Sequence, residues 1–397
     1  NHNSSNAVTI SAPINLAANT TIGGTASGNV TLTLSGGIAG SGLLTKQNSA
    51  IVSLNTAGTY SGGTVVNAGT LRMGSTNNSL MGTGPVTVNT GATLGLNGNN
   101  NLTNSFAFSS ATVTNGNSFS ANLNGPITLT GSNIFDLATT GNMSIGGAIS
   151  GTGGLVRRGT SGGTLNITGN NSFSGAVAVQ AGSITVTSLN SVTGGTATSS
   201  LGAPTTAEDG TISLGLTTVA GALIYNGNGE TTDRVIRLNG TTGGVTITQG
   251  GNAYLPTTRG ETGLLKFTSD LSIPGTAAAD NRKTLTLNNN PRAATGSTPG
   301  QGEISGSIGD SVAGNAGQTA TSITKTGSGT WILSGSNTYT GTTRVQVGTL
   351  AITRPNALGA GPLEISSGAK MRLDYLGTRQ VASLSYPNYT VPGTYGS

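Results

Sequence analysis

A spaced set of residues recurs three times along this chain, and that recurrence limits its fold before anything else does. Ser322 to Ile352 reads SITKTGSGTWILSGSNTYTGTTRVQVGTLAI. Counted from Tyr339, glycines follow at plus two and plus nine (Gly341, Gly348), Leu350 stands at plus eleven and Lys325 at minus fourteen. Tyr60 keeps the same company in Lys46, Gly62, Gly69 and Leu71. Phe173 repeats the downstream set with Gly175, Gly182 and Ile184, and its upstream cation, Arg158, lies one residue further off. Repetition of this kind marks stacked units, none of which can bury its apolar face alone.

The period inside the unit is that of strands. Trp331 and Leu333, then Val345 and Val347, alternate with small polar residues, so each short segment has one apolar face. Gly-Ser-Gly and Ser-Gly-Ser-Asn separate the segments, and such clusters turn the chain because Gly and Asn tolerate positive φ. No window holds a helical spacing. Short strands joined by tight turns are predicted throughout.

These residues resemble a known family. LTK, TYSGGTVVNAGTL (Thr59 to Leu71), TKTGSGTWILSGSNTYTG (Thr324 to Gly341) and LGAGPLEISSGAKMRL (Leu358 to Leu373) are similar to the bacterial autotransporter-associated β-strand repeat, also called the passenger-associated transport repeat. GALIYNGNGETTDRVIRL (Gly221 to Leu238) and GLLKFTSDL (Gly263 to Leu271) are similar to spacer regions of long exported proteins of that family. The resemblance implies an all-β fold, a right-handed parallel β-helix (β-solenoid) forming a single elongated rod, carried extracellularly or on the bacterial cell surface. It implies no catalytic residues, since the repeat is a scaffold motif.

Composition agrees on separate grounds. Charged residues make up 7% of the chain, against roughly a quarter in ordinary soluble domains. Thr, Val and Ile at alternate positions argue for strands rather than disorder. A solenoid also explains how 397 residues share one core, because each coil packs only on its neighbours. At about 20 residues per coil the chain would hold on the order of 18 to 20 coils, a stack of roughly 90 Å. The aromatics Phe106, Phe108, Phe119 and Phe135 are expected in its core or stacked on it.

Several chemistries lack their residues. The sole histidine, His2, lies in a polar terminus, so no Ser-His-Asp triad or histidine metal cluster can be built. Cysteine is absent, which removes disulfides and thiolate sites. No cofactor or metal is expected. The net charge of +5 is spread without a patch, so no nucleic-acid partner is expected. No segment reaches the length of an apolar membrane span, and the Asn-His-Asn-Ser-Ser start without Met or leader reads as a processed mature chain.

Charge is concentrated in the middle. Nine of the twelve acidic residues fall between Glu208 and Asp310, and the first in the chain is Asp136. The sharpest constellation is Glu230, Asp233, Arg234 and Arg237, with Glu261, Lys266 and Asp270 further on. Carboxylates of this kind would serve a polysaccharide lyase or hydrolase only if paired on one exposed face; surface ion pairs between coils are the plainer expectation. Thr193 to Thr206 is predicted to be a long loop, and residues 274–322, with Pro274, Pro291 and Pro299, protruding loops.

The last 25 residues differ from the rest, holding Tyr375, Tyr386, Tyr389 and Tyr395 beside Pro387 and Pro392. This segment is expected either to cap the last coil or to dock on a neighbour's first coils, since open sheet edges template pairing. Four stretches of one solenoid are therefore expected: 1–190 with two repeat copies, 191–320 charged and loop-bearing, 321–372 the best repeat copy, and 373–397 the Tyr/Pro segment. The function read from these features is a non-enzymatic structural protein that associates head-to-tail with itself into a surface fibre. The alternatives are a cleaved autotransporter passenger acting as an adhesin, in contact with a glycan or a host or cell surface, and a glycan-cleaving enzyme.

Overall fold

A computed structural model of the chain describes residues 6–24, 31–97, 99–137, 140–159, 162–250, 263–276, 279–289, 300–386 and, for the backbone alone, 389–396. It is a parallel β-solenoid of about 16 turns with little helix. The chain divides into two compact units, Asn1–Ala176 and Val177–Ser397.

In the first unit the strands return every 19 to 24 residues, as where Thr31 pairs with Ile51, Ile51 with Thr70 and Thr70 with Thr93. Inward residues line up in files along the stack. One file runs Leu32, Val52, Leu71, Leu94, Val113, Phe135, each at most 5% exposed. Alternation places every second side chain in such a file and its neighbour in solvent. Phe106 and Phe108 stack at 5.5 Å between ring centres, and Phe135 meets Phe108 edge-on at 6.2 Å. Phe119 departs from the expected core position: it sits in a turn before strand Ala121–Leu123 and is 58% exposed.

The second unit contains coils that are much longer. Val177 pairs with Ile212, Val245 with Leu285 and Leu285 with Ile323, intervals of 35, 40 and 38 residues, before the spacing returns to 20 at Ile323 and Thr343. These insertions are why the turns number about 16 rather than the expected 18 to 20. One insertion is the predicted loop at 193–206, which ends in the short helix Ala207–Gly210. Residues 274–322 were expected as loops throughout, yet they include strands Lys283–Asn289 and Gln301–Ile304. KTLTLNN keeps its alternation, and the surrounding Pro and Gly hide it in sequence; Pro291 and Pro299 lie outside the described residues.

The ladders in this unit run parallel until strand Thr378–Tyr386, which pairs in parallel with Leu363–Ile365 and antiparallel with Tyr389–Gly396.

Candidate functional site

The repeat residues converge on one structural device. In each copy a cation occupies an inward file that is otherwise apolar. Lys46 stands between Ile22 and Val66, Lys325 between Leu287 and Val345, and both are fully buried. A buried ammonium is tolerable only if its three hydrogens find acceptors. Lys46 Nζ donates to the carbonyls of Gln47 (2.9 Å), Asn48 (2.7 Å) and Ala68 (2.9 Å). Lys325 Nζ donates to those of Thr326 (2.5 Å), Gly327 (2.7 Å) and Val347 (3.1 Å). Each lysine thus ties the corner of its own coil to the corner of the next. Burial pushes both amines down to about 8, and the three carbonyls that surround each one are arranged for the charged form.

In the second copy the buried cation is Arg157, beside Phe135 in its file, with its guanidinium on the Arg158 and Gly163 carbonyls. Arg158, the residue expected from spacing, instead points outward and lies 3.6 Å from Asp136. Adjacent residues of a strand face opposite ways, so an offset of one residue exchanges the buried and exposed arginines. Val347 also differs from expectation: it is 49% exposed, in a turn where only its carbonyl serves the corner.

The glycines supply room. A Cβ on Gly62, Gly175 or Gly341 would lie about 2.3–2.4 Å from backbone of the adjacent coil. Gly69, Gly182 and Gly348 have φ between +65° and +73°, a region L side chains rarely adopt. Tyr60 and Tyr339 are fully buried, each with its hydroxyl on that of the threonine four residues on, Thr64 at 2.7 Å and Thr343 at 2.8 Å. Burial pushes the Tyr60 phenol up to about 12. The copy with Phe173 has Val177 at that offset. Phenol and hydroxyl are present together or absent together, a signal in the sequence that the spacing template overlooked.

Two expected outcomes follow for the repeat. Thr64→Val strands the buried Tyr60 hydroxyl and costs about 1–3 kcal/mol, while adding Tyr60→Phe recovers most of the loss, as urea denaturation of both variants would read. Lys325→Met leaves three corner carbonyls without a donor and lowers the urea midpoint by an amount equivalent to about 2–3 kcal/mol.

The charged middle forms the second device. Residues 187–211 leave the solenoid between strands Gly182–Val186 and Ile212–Thr217, and side chains of the following coil hold them. Glu230 accepts the amides of Leu189 (2.6 Å) and Asn190 (3.1 Å); Asp233 accepts those of Val192 (2.6 Å) and Thr193 (2.9 Å). Arg234, 1% exposed, donates from Nε to Gly210 O (2.7 Å) and from Nη1 to Leu189 O (2.9 Å) and Leu201 O (2.8 Å). Desolvation pushes the Glu230 carboxyl up despite these bonds, whereas the amides on Asp233 hold its carboxyl below the usual range.

Arg237 faces outward to Glu208 at 3.1 Å. Lys266 pairs with Glu303 at 3.0 Å, and Asp270 accepts the Ser307 amide at 2.7 Å. Glu261 and His2 lie outside the described residues. Glu230 and Asp233 are therefore brought together as fasteners of one loop rather than as a pair on an open face. Among the described residues no group of three or more His, Cys, Asp or Glu could hold a metal, and no helix is long and apolar enough to cross a membrane.

Of the terminal tyrosines, Tyr375 is half-buried and Tyr386 is 48% exposed. In the antiparallel pair Tyr386 stands opposite Tyr389 and Arg379 opposite Tyr395; the side chains of Tyr389 and Tyr395 are outside the described residues.

Comparison with known proteins agrees with this geometry. The passenger-associated transport repeat family matches residues 44–73, 160–186 and 323–352, the segments that carry the three buried-aromatic units. The chain is 32% identical over 302 residues to the adhesin BmaC autotransporter of Brucella suis biovar 1 (strain 1330), a match that takes in 76% of this chain and 8% of the adhesin. No solved structure matches the chain. The chain carries three passenger-associated transport repeats, and its place is extracellular or at the bacterial cell surface.

Proposed function

We propose that this chain is a stretch of a surface passenger with an adhesive role and no catalysis of its own. The observation that carries the reading is the 32% identity to an adhesin over three quarters of the chain. The charge distribution supports it. Glu230, Asp233 and Asp270 accept backbone amides of neighbouring segments, so the carboxylates a glycan-cleaving enzyme would need serve as loop anchors. Stiffness comes from main-chain ladders continued coil upon coil. The test is display of the chain on a non-adherent bacterium. Attachment to host cells or glycan-coated surfaces should rise over an empty-display control, and no rise would defeat the reading. A screen of polysaccharides should show no cleavage; cleavage lost on Glu230→Ala would restore the enzyme.

Head-to-tail assembly into a fibre is the second reading. It draws support from strand Tyr389–Gly396, which among the described strands is paired on one side only, leaving an edge that can accept another strand. Negative-stain electron microscopy of the full chain, beside a form truncated after Gly377, tests it: filaments lost on truncation are the expected sign, and separate particles in both samples refute it.

A further inference from the structure

Strand Lys370–Leu373 ends its sheet with one side open: it pairs with Thr349–Ile352, and among the described strands none follows it in that ladder. The amides of Lys370 and Asp374 go to Gly348 O and Ile352 O. Main-chain groups of a parallel strand point alternately to either side, so those of Met371 and Leu373 face the open side. Burial marks the same gap. Met371 continues the inward file of Trp331 and Leu350, and Leu373 that of Leu333 and Ile352; those four are fully buried, whereas Met371 and Leu373 are only half-buried.

A cavity of about 550 Å³ opens beside this edge. Ile365, Ala369 and Met371 give it apolar walls, Tyr386 an aromatic one, and Lys370 and Arg372 a basic rim. Lys370 is exposed, and among the described residues no carboxylate pairs with it; Arg372 bonds Asp374 on its own side of the strand at 2.9 Å. From Arg344 onward the chain has five basic residues (Arg344, Arg354, Lys370, Arg372, Arg379) against two acidic ones, Glu364 and Asp374.

Lysine at a sheet edge turns away strands of its own kind, so this rim disfavours a second copy of a net-basic chain. A carboxylate-bearing strand reverses the sign of that contact. We propose that the edge at Lys370–Leu373 takes up an acidic, extended segment of a partner protein by strand addition. Main-chain bonds form to Met371 and Leu373, an apolar side chain enters the cavity, and carboxylates meet Lys370 and Arg372. This surface is separate from the adhesive reading above, whose own test is attachment of the displayed chain.

The test follows the fluorescence anisotropy of a short labelled peptide alternating valine and glutamate, titrated with the purified full chain. Saturable binding is expected. The counterpart with lysine in place of glutamate should not bind, nor should the glutamate peptide N-methylated at every residue, since methylation removes the donors a ladder needs. Lys370→Glu should weaken binding about tenfold or more with thermal melting unchanged, while Arg72→Glu, on the exposed face of strand Thr70–Met73, should bind as the parent does. Absence of saturable binding, equal affinity of Lys370→Glu and parent, or undiminished binding of the N-methylated peptide overturns the proposal; the last comparison needs only the parent chain. Two outcomes would give the edge to another occupant and overturn it as well. One is a sulfated oligosaccharide that binds the parent more tightly than the peptide does and loses that affinity in Lys370→Glu; the other is self-association of the parent, read by sedimentation, that Lys370→Glu abolishes.

Discussion

Arg234→Met is expected to free residues 187–211 and to destabilise the surrounding coils by about 3–5 kcal/mol, the range for breaking a buried, hydrogen-bonded charge. The guanidinium reaches three carbonyls from three separate points of the loop, Leu189, Leu201 and Gly210. Methionine fills similar volume but donates nothing, so those carbonyls stay buried without partners. It also removes the positive charge from beside Glu230 and Asp233, whose fields offset the burial of Arg234. Hydrogen exchange separates the effects. The amides of Leu189, Asn190, Val192 and Thr193 should lose protection before those of strands Ile212–Thr217 and Gly221–Tyr225, and equal protection in variant and parent would refute the clamp.

The other large effect is expected at Trp331. It is fully buried, donates from Nε1 to Asn288 O at 3.1 Å, and stands opposite Gly302 in the ladder. A Cβ on Gly302 would come within 2.6 Å of the indole, so the small residue of one coil makes space for the large residue of the next. Trp331→Ala should cost about 3–5 kcal/mol, the transfer of the side chain plus the cavity it leaves. Gly302→Ala should also destabilise, because a close-packed interior has no slack for the added methyl. The two changes together should cost less than their sum, and a double-mutant cycle showing strict additivity would sink the pairing.

The sequence made the solenoid legible because its information is periodic. Alternation identifies strands, and the recurrence of Lys46, Tyr60, Gly62 and Gly69 at Lys325, Tyr339, Gly341 and Gly348 identifies equivalent corners. The same template misassigned Arg157 and Arg158, since the facing of a residue depends on strand register and a one-residue offset reverses it. It also placed Val347 and Phe119 with the core, although both sit in turns where alternation has no meaning. The clamp was legible only as a cluster of charges. Its partners lie about 40 residues upstream, as with Glu230 and Leu189, and a spacing rule for 20-residue coils does not span an insertion of that size.

One property of the clamp reaches beyond stability. Glu230, Asp233 and Arg234 grip the loop through amides and carbonyls of its main chain, groups every residue other than proline supplies in full. Within Thr193 to Thr198 only Thr193, whose side chain bonds Asp233, and Thr196, whose hydroxyl bonds Asn190 Oδ1 and Thr198 O, add side-chain contacts to that grip. The clamp works as a socket: Gly194, Gly195, Ala197 and Thr198 can be exchanged on the same main-chain anchors while the coils beneath stay as they are.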